Sequence, residues 1–160
     1  MRRSRTPSSA FSLAEVTLAL GMAAISILPI FALLPVGLHT CHVATEQTAA
    51  SDILASVITD LRATGPAFPG GSSAVSAQFG INIPASSGDS GAAVILYFDS
   101  QGRVLPSADR SRYRLTITFP PNSAGPRTAT LAHLRMTWPA AADPANALGS
   151  AETFVALDRN

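Results

Sequence analysis

The chain has 160 residues, of which 47% are hydrophobic and 13% charged, and its formal net charge is +1. This length predicts one domain in addition to an N-terminal segment that holds much of the apolar excess. The single cysteine, Cys41, excludes a disulfide within the chain.

The N-terminus combines a basic leader with a long apolar segment. Arg2, Arg3 and Arg5 precede the first acidic residue, and residues Val16–Leu38 form a run of 23 without a charge. As a helix, this run would be roughly 35 Å long, which exceeds the hydrocarbon thickness of about 30 Å. The positive-inside rule then predicts a single-pass protein with a cytoplasmic N-terminus and the rest of the chain across the membrane.

Three interpretations of this N-terminus compete. A cleaved secretory signal has an apolar core of about 7–15 residues followed by a small-residue cleavage site. The apolar run here is longer, and no convincing site of that kind closely follows it. A plain signal anchor fits the length and the flanks, but it leaves a charged residue, Glu15, unexplained beside the apolar run.

The third interpretation rests on the segment AFSLAEV, residues 10–16. It resembles the type III signal of type IV prepilins and type II secretion pseudopilins. The resemblance implies leader cleavage by a prepilin peptidase between Ala10 and Phe11, and N-methylation of Phe11. The family usually has glycine before the cut, so Ala10 is a departure from its pattern.

The resemblance also implies a role for Glu15. A carboxylate at the edge of lipid costs about 2.5–3.5 kcal/mol on insertion scales, so it is expected to have a partner. In pilin-like filaments that partner is the N-terminal amine of a neighbouring subunit, which would make Glu15 an assembly contact. The alternative is a Glu15 side chain that extends to the interface and pairs with nothing.

The subgroup is indicated by further segments. The run EVTLAL is more similar to minor pilins of the V type and minor pseudopilins than to major subunits. The basic leader, FSLAEVTLALG, LLPVGL and YFDSQGR together resemble the Verru_Chthon cassette protein B group of the Verrucomicrobia. The implied partners are the prepilin peptidase, other pilin or pseudopilin subunits, an inner-membrane assembly platform and the lipid bilayer.

Two prolines interrupt the apolar segment. Pro29 and Pro35 each remove a backbone donor and crowd the preceding turn, which predicts a helix kink or local melting. Beyond the membrane, residues 39–64 predict an amphipathic stalk helix. Its apolar face consists of Ile53, Leu54, Val57, Ile58 and Leu61.

The remaining residues, 65–160, predict a β-rich periplasmic head. Residues 65–91 read as an irregular loop with little core of its own. A hairpin is expected from residues 92–98 and 103–105, and residues 113–119 alternate as a half-buried strand. Further strands are expected in LAHLRMTWP and TFVAL. With a leader at 1–10 and a transmembrane helix at 11–38, the expected fold class is α+β, pilin-like, with an antiparallel sheet.

No catalytic motif is found, so no enzyme activity and no cofactor are expected. His39, Cys41, His42 and Glu46 lie close together in sequence, and His42 and Glu46 could share a helix face. However, Cys41 points about 100° away from His42 on a helix and no second ligand cluster follows, so no metal site is predicted.

Two functional alternatives stay open beside a filament subunit. Arg110, Arg112 and Arg114 alternate and could form a basic strand face in a DNA-binding minor pilin. Without the leader, however, 8 arginines face 10 acidic residues, so nucleic-acid binding is unfavoured. The other alternative is a signal-anchored periplasmic binding domain that never polymerises.

Overall fold

A computed structural model describes residues 11–65, 73–84, 91–122 and 129–157. The predicted leader, residues 1–10, lies outside the described residues. The chain divides into two compact units, Met1–Ala44 and Thr45–Asn160. Its elements are α1 (Leu13–Ala63), β1 (Ala74–Val75), β2 (Asn82–Ile83), β3 (Val94–Phe98), β4 (Val104–Leu105), β5 (Tyr113–Thr118), β6 (Thr130–Trp138) and β7 (Gly149–Leu157).

In the first unit, helix α1 carries apolar side chains that no described residue covers. The large apolar residues from Leu13 to Leu38 are all exposed. By length and composition, α1 contains one candidate membrane-spanning segment, and it lies near the N-terminus. The helix continues through Pro29 and Pro35, and the kink predicted at these prolines stays a prediction.

Hydroxyl groups in and just beyond this apolar segment bond to the helix that carries them. Ser26 Oγ donates to the carbonyl of Met22 at 2.9 Å, and Thr40 Oγ1 donates to the carbonyl of Val36 at 2.9 Å. Each bond satisfies a hydroxyl without a partner helix, as an apolar surrounding requires. These polar residues are therefore compatible with the membrane interpretation.

In the second unit, the C-terminal part of α1 packs through one face. Ala50, Ile53, Leu54, Val57 and Leu61 are buried in the core, and Ile58 packs against it while partly buried. The apolar face predicted from sequence is confirmed, because its spacing places these side chains on one side of the helix.

The apolar face of α1 shares its core with a five-stranded antiparallel sheet of order β4-β3-β5-β6-β7. Strand β5 alternates as predicted, with Tyr113, Leu115 and Ile117 buried and the intervening residues partly exposed. In register, Leu115 lies opposite Leu96 on β3 and Met136 on β6. The predicted α+β layout is confirmed: a long apolar N-terminal helix is followed by a head with an antiparallel sheet.

The expectation for residues 65–91 is wrong in one respect. Strands β1 and β2 form a small antiparallel sheet, and Ile81 and Ile83 are almost completely buried in the main core. Ser76 stabilises the connection, since its Oγ accepts the Ile81 N–H at 3.0 Å. The two isoleucines are separated by one polar residue and flanked by breakers, so their pattern was too short to predict a strand.

Candidate functional site

The N-terminal end of α1 holds the predicted assembly residue. Phe11 and Ser12 lie outside the helix, which begins at Leu13. The Ser12 N–H donates to Glu15 Oε2 at 3.0 Å, and the Glu15 N–H donates to Ser12 Oγ at 3.2 Å. The Val16 N–H donates to the Ser12 carbonyl at 3.2 Å. This reciprocal arrangement is a capping box, with Ser12 at the N-cap and Glu15 three residues later.

The capping box gives Glu15 a partner within its own chain. The alternative in which this carboxylate has no partner of opposite charge stays open. Neither sequence interpretation included the cap, although the pattern Ser-x-x-Glu before an apolar run is its known signature. An ionised carboxylate has about four acceptor positions, so the single described bond to Oε2 leaves capacity for an external donor.

The surface beside Glu15 is a shallow apolar groove. It is lined by Phe11, Glu15, Val16, Ala19, Leu20 and Ala23. Ala19 and Ala23 are four residues apart on one helix face, and small side chains at that spacing permit close approach of another helix in lipid. Among the described residues that line this groove, Glu15 has the one ionisable side chain. Ala10, the other predicted cleavage residue, lies outside the described residues.

The residues weighed as metal ligands do not form a metal site. Among the described residues, no group of three or more His, Cys, Asp or Glu side chains could hold a metal ion. Glu46 forms an ion pair with Arg112, and its carbonyl accepts the Tyr113 hydroxyl at 3.4 Å. These bonds join α1 to the residues that begin β5, which is a structural role.

The basic strand face predicted from Arg110, Arg112 and Arg114 is wrong. Arg110 ends a short 3₁₀ turn, and Arg112 precedes β5 and pairs with Glu46. Only Arg114 of the three lies in the strand. The sequence alternation suggested three aligned charges because it could not show that the strand begins at Tyr113.

A cleft of about 300 Å³ in the head lies between α1 and two loops. Phe79 and Phe98 contribute to its lining and contact each other edge to face, with ring centroids 5.8 Å apart. Asp52 and Ser56 line it from the helix, and Gln101 lines it from the turn between β3 and β4. Such a lining of aromatic and polar side chains suits the binding of a small chemical group. The described lining residues include no pair of a nucleophile and a general base.

His133 lies outside this cleft, on the other face of the sheet. Its ring stacks on Phe154 with centroids 4.4 Å apart, and its Nε2 lies 3.6 Å from a Glu152 oxygen. These contacts give His133 a packing role on that face of the sheet.

The comparisons with known proteins return no relatives. No protein-family model, no curated protein and no solved structure matches this chain.

Proposed function

We propose that this chain is a prepilin-like structural subunit, a minor pilin or pseudopilin, that is inserted in the inner membrane. After a prepilin peptidase removes the leader between Ala10 and Phe11, the subunit joins a type IV pilus-like or type II secretion pseudopilus filament. The leader faces the cytoplasm, and the head of residues 65–160 faces the periplasm.

One observation carries this proposal. Glu15 is the single ionisable group in an apolar groove at the start of a candidate membrane-spanning helix, four residues after Phe11. A carboxylate in that position is costly unless it is partnered. The capping bond occupies one carboxylate oxygen of Glu15. A donor for the other oxygen would come from outside the described chain. The α-amine released at Phe11 of a neighbouring subunit has the required charge.

N-terminal sequencing of the membrane-extracted protein tests the processing step. When the peptidase is co-produced, the expected chain begins at Phe11 and carries an N-methyl group. In a host without the peptidase, the chain should retain Arg2 and Arg3. A mature chain that keeps these arginines in the presence of the peptidase would favour the signal-anchored domain that does not polymerise.

Sedimentation and electron microscopy of sheared material test the assembly step. The processed chain is expected in filaments together with other subunits of the same system. A processed chain that stays dispersed in the membrane fraction when its partner subunits are present would contradict the proposal. Binding of the head to DNA, measured as salt-dependent retardation, would support the DNA-binding alternative.

A further inference from the structure

The cleft of the head has two loop walls, and each wall is fixed by a carboxylate. On one side, Asp60 of α1 accepts the Gln78 N–H at 3.0 Å and the Phe79 N–H at 3.1 Å. On the other side, Asp99 Oδ1 accepts the Gln101 N–H at 2.8 Å. These bonds hold both loops without any ligand, so the cleft is a preformed feature of the head, as is usual for a binding site.

A third carboxylate, that of Asp52, lines the same cleft from α1 and is not used in this way. Asp52 is exposed, and none of the described residues forms a hydrogen bond or an ion pair with its side chain. It also has the one ionisable side chain in the described lining. The cleft therefore carries a negative charge that its own lining does not offset, which favours a cationic ligand over an anion.

The apolar part of the lining indicates an organic cation. Phe79 is half-buried, and its ring contacts the fully buried Phe98 ring edge to face at a centroid distance of 5.8 Å. Phe79 is thus the ring that a ligand can reach, and Phe98 holds it in place. Aromatic rings attract cations as well as apolar stems. A bare metal ion is unfavoured, because hard cations such as Ca²⁺ need several oxygen ligands and the lining supplies one carboxylate.

We propose that the cleft binds the side chain of an arginine that another protein presents. A guanidinium is planar, pairs with a carboxylate through two N–H groups and stacks on an aromatic ring, so it suits Asp52 and Phe79 together. The exposed side chains of Gln78 and Gln101 hold amide oxygens that can accept its other N–H groups. The volume of about 300 Å³ is at the lower end for ligand pockets and fits one side chain.

Two other occupants are less well supported. A lysine ammonium has the same charge, but it is a compact point charge without a planar face for the Phe79 ring. A second copy of this chain also presents arginine. However, Arg103, Arg112 and Arg135 of the head are already paired with carboxylates, which favours a different protein. The inference does not depend on the proposed filament function, because a signal-anchored head would bind the same group.

Saturation-transfer difference NMR tests the site in the full chain, solubilised in an uncharged detergent. The probe is arginine capped as its Nα-acetyl methylamide. Its matched neutral probe is the capped citrulline, which has the same length without the charge. The arginine probe should receive saturation at its side-chain methylene groups and bind about three- to fivefold more tightly than the citrulline probe. High salt should reduce this difference, because it screens exposed charges.

Two variants assign the binding to the cleft. Asp52→Asn removes the charge and keeps the shape, so the arginine probe should bind about three- to fivefold more weakly and the citrulline probe unchanged. Phe79→Leu keeps an apolar side chain without a ring and should weaken the arginine probe by about twofold. Asp109→Asn, an exposed carboxylate outside the cleft lining, is the matched control and should change nothing. Fluorescence of the single tryptophan, Trp138, verifies that each variant is folded.

Any of the following results would overturn the inference. Equal binding of the two capped probes, or undiminished binding to Asp52→Asn, would show that the charge of the cleft does not select the ligand. Methylguanidinium that binds as tightly as capped arginine would assign the cleft to a small free cation. Self-association of the unmutated chain that capped arginine reverses would place an arginine of a second copy there. Each of these results would leave the proposed filament function standing.

Discussion

Glu15 has two separable properties, a charge and the ability to cap its helix. Its Oε2 accepts the Ser12 N–H, and Ser12 Oγ accepts the Glu15 N–H in return. Glutamine in the same position keeps an acceptor oxygen and is itself a common capping-box residue, whereas alanine has neither property. Substitutions at this one position can therefore distinguish a residue that starts a helix from a residue that recruits a neighbour.

Glu15→Gln should retain the helix start and lose filament formation. Glu15→Ala should lose both, because the Ser12 N–H then has no side-chain acceptor. The loss of a cap of about 1 kcal/mol predicts roughly fivefold faster amide exchange at Ser12 in Glu15→Ala than in Glu15→Gln. Amide exchange in detergent micelles and filament yield measure the two effects. Filaments from Glu15→Gln at the unmutated level would show that the charge is not needed.

Asp60 is a buried carboxylate that connects α1 to the β1–β2 segment. It is 7% exposed, and it accepts the Gln78 N–H at 3.0 Å and the Phe79 N–H at 3.1 Å. Burial alone would raise the pKa of this carboxyl, but hydrogen bonds from Ser76 and from these backbone groups outweigh it and lower the pKa. Asp60→Asn leaves a backbone donor poorly paired and should destabilise the head by about 1–3 kcal/mol.

The effect of Asp60→Asn should depend on pH in a defined direction. Because the folded-state pKa lies below the unfolded one, the carboxylate stabilises the head fully above about pH 4. This contribution is lost as the pH falls through the folded-state pKa. Urea unfolding of the detergent-solubilised chain, followed by Trp138 fluorescence, should show a difference that shrinks in acid. Asp109→Asn, an exposed control, should show little change. A difference that is constant with pH would contradict the ionic role.

At the scale of elements, β6 and β7 meet at a position that excludes a side chain. Gly149 lies opposite Trp138 in the register of the two strands. A Cβ atom on Gly149 would lie 2.3 Å from the Trp138 ring carbons Cε2 and Cζ2. The indole has little freedom to move, since it is 4% exposed and contacts the Tyr113 ring edge to face at a centroid distance of 5.9 Å.

Gly149→Ala should therefore overpack the end of the sheet. The expected loss is about 1–3 kcal/mol in the free energy of unfolding, with a changed emission spectrum of Trp138. Gly65→Ala is the matched control, because a Cβ there meets no atom within 4 Å. Equal stability of both variants in urea unfolding would contradict this prediction. It would show that β6 and β7 accommodate the added methyl group without a loss in the free energy of unfolding.

Local patterns predicted the elements of this fold better than they predicted its connections. Tyr113, Leu115 and Ile117 alternate in the sequence and share the inner sheet face, because a strand has a period of two. The ion pair of Arg112 with Glu46 joins residues far apart in the chain, so no local pattern contains it. Ile81 and Ile83 were missed for a related reason: their burial depends on Asp60 fixing the Gln78–Phe79 turn from another element.

The candidate site was likewise only partly predictable from the local sequence. The assembly role of Glu15 follows from a resemblance over a short segment, and its cap could have been read from Ser12 and Glu15 alone. The sequence does not show which charges of the head are already compensated. Only the structure shows that Arg103, Arg112 and Arg135 each pair with a carboxylate.

For the whole molecule, the central question is the orientation of the chain across the membrane. Arg2, Arg3 and Arg5 precede the apolar segment, and the single cysteine, Cys41, follows it by three residues and is exposed. If the basic leader stays in the cytoplasm, the thiol of Cys41 lies on the periplasmic side. A reagent that cannot cross the membrane should then label Cys41 in intact spheroplasts.

A leader cysteine supplies the opposite control for this orientation. In a host without the peptidase, Ser4→Cys in a Cys41→Ser background should react only after permeabilisation. Replacing Arg2, Arg3 and Arg5 by glutamine should lower Cys41 labelling in intact cells, because the positive charge that holds the leader inside is gone. Labelling of Cys41 only after permeabilisation would place the head in the cytoplasm. In that orientation the leader could not be removed at the cytoplasmic face, and the head could not join a periplasmic filament.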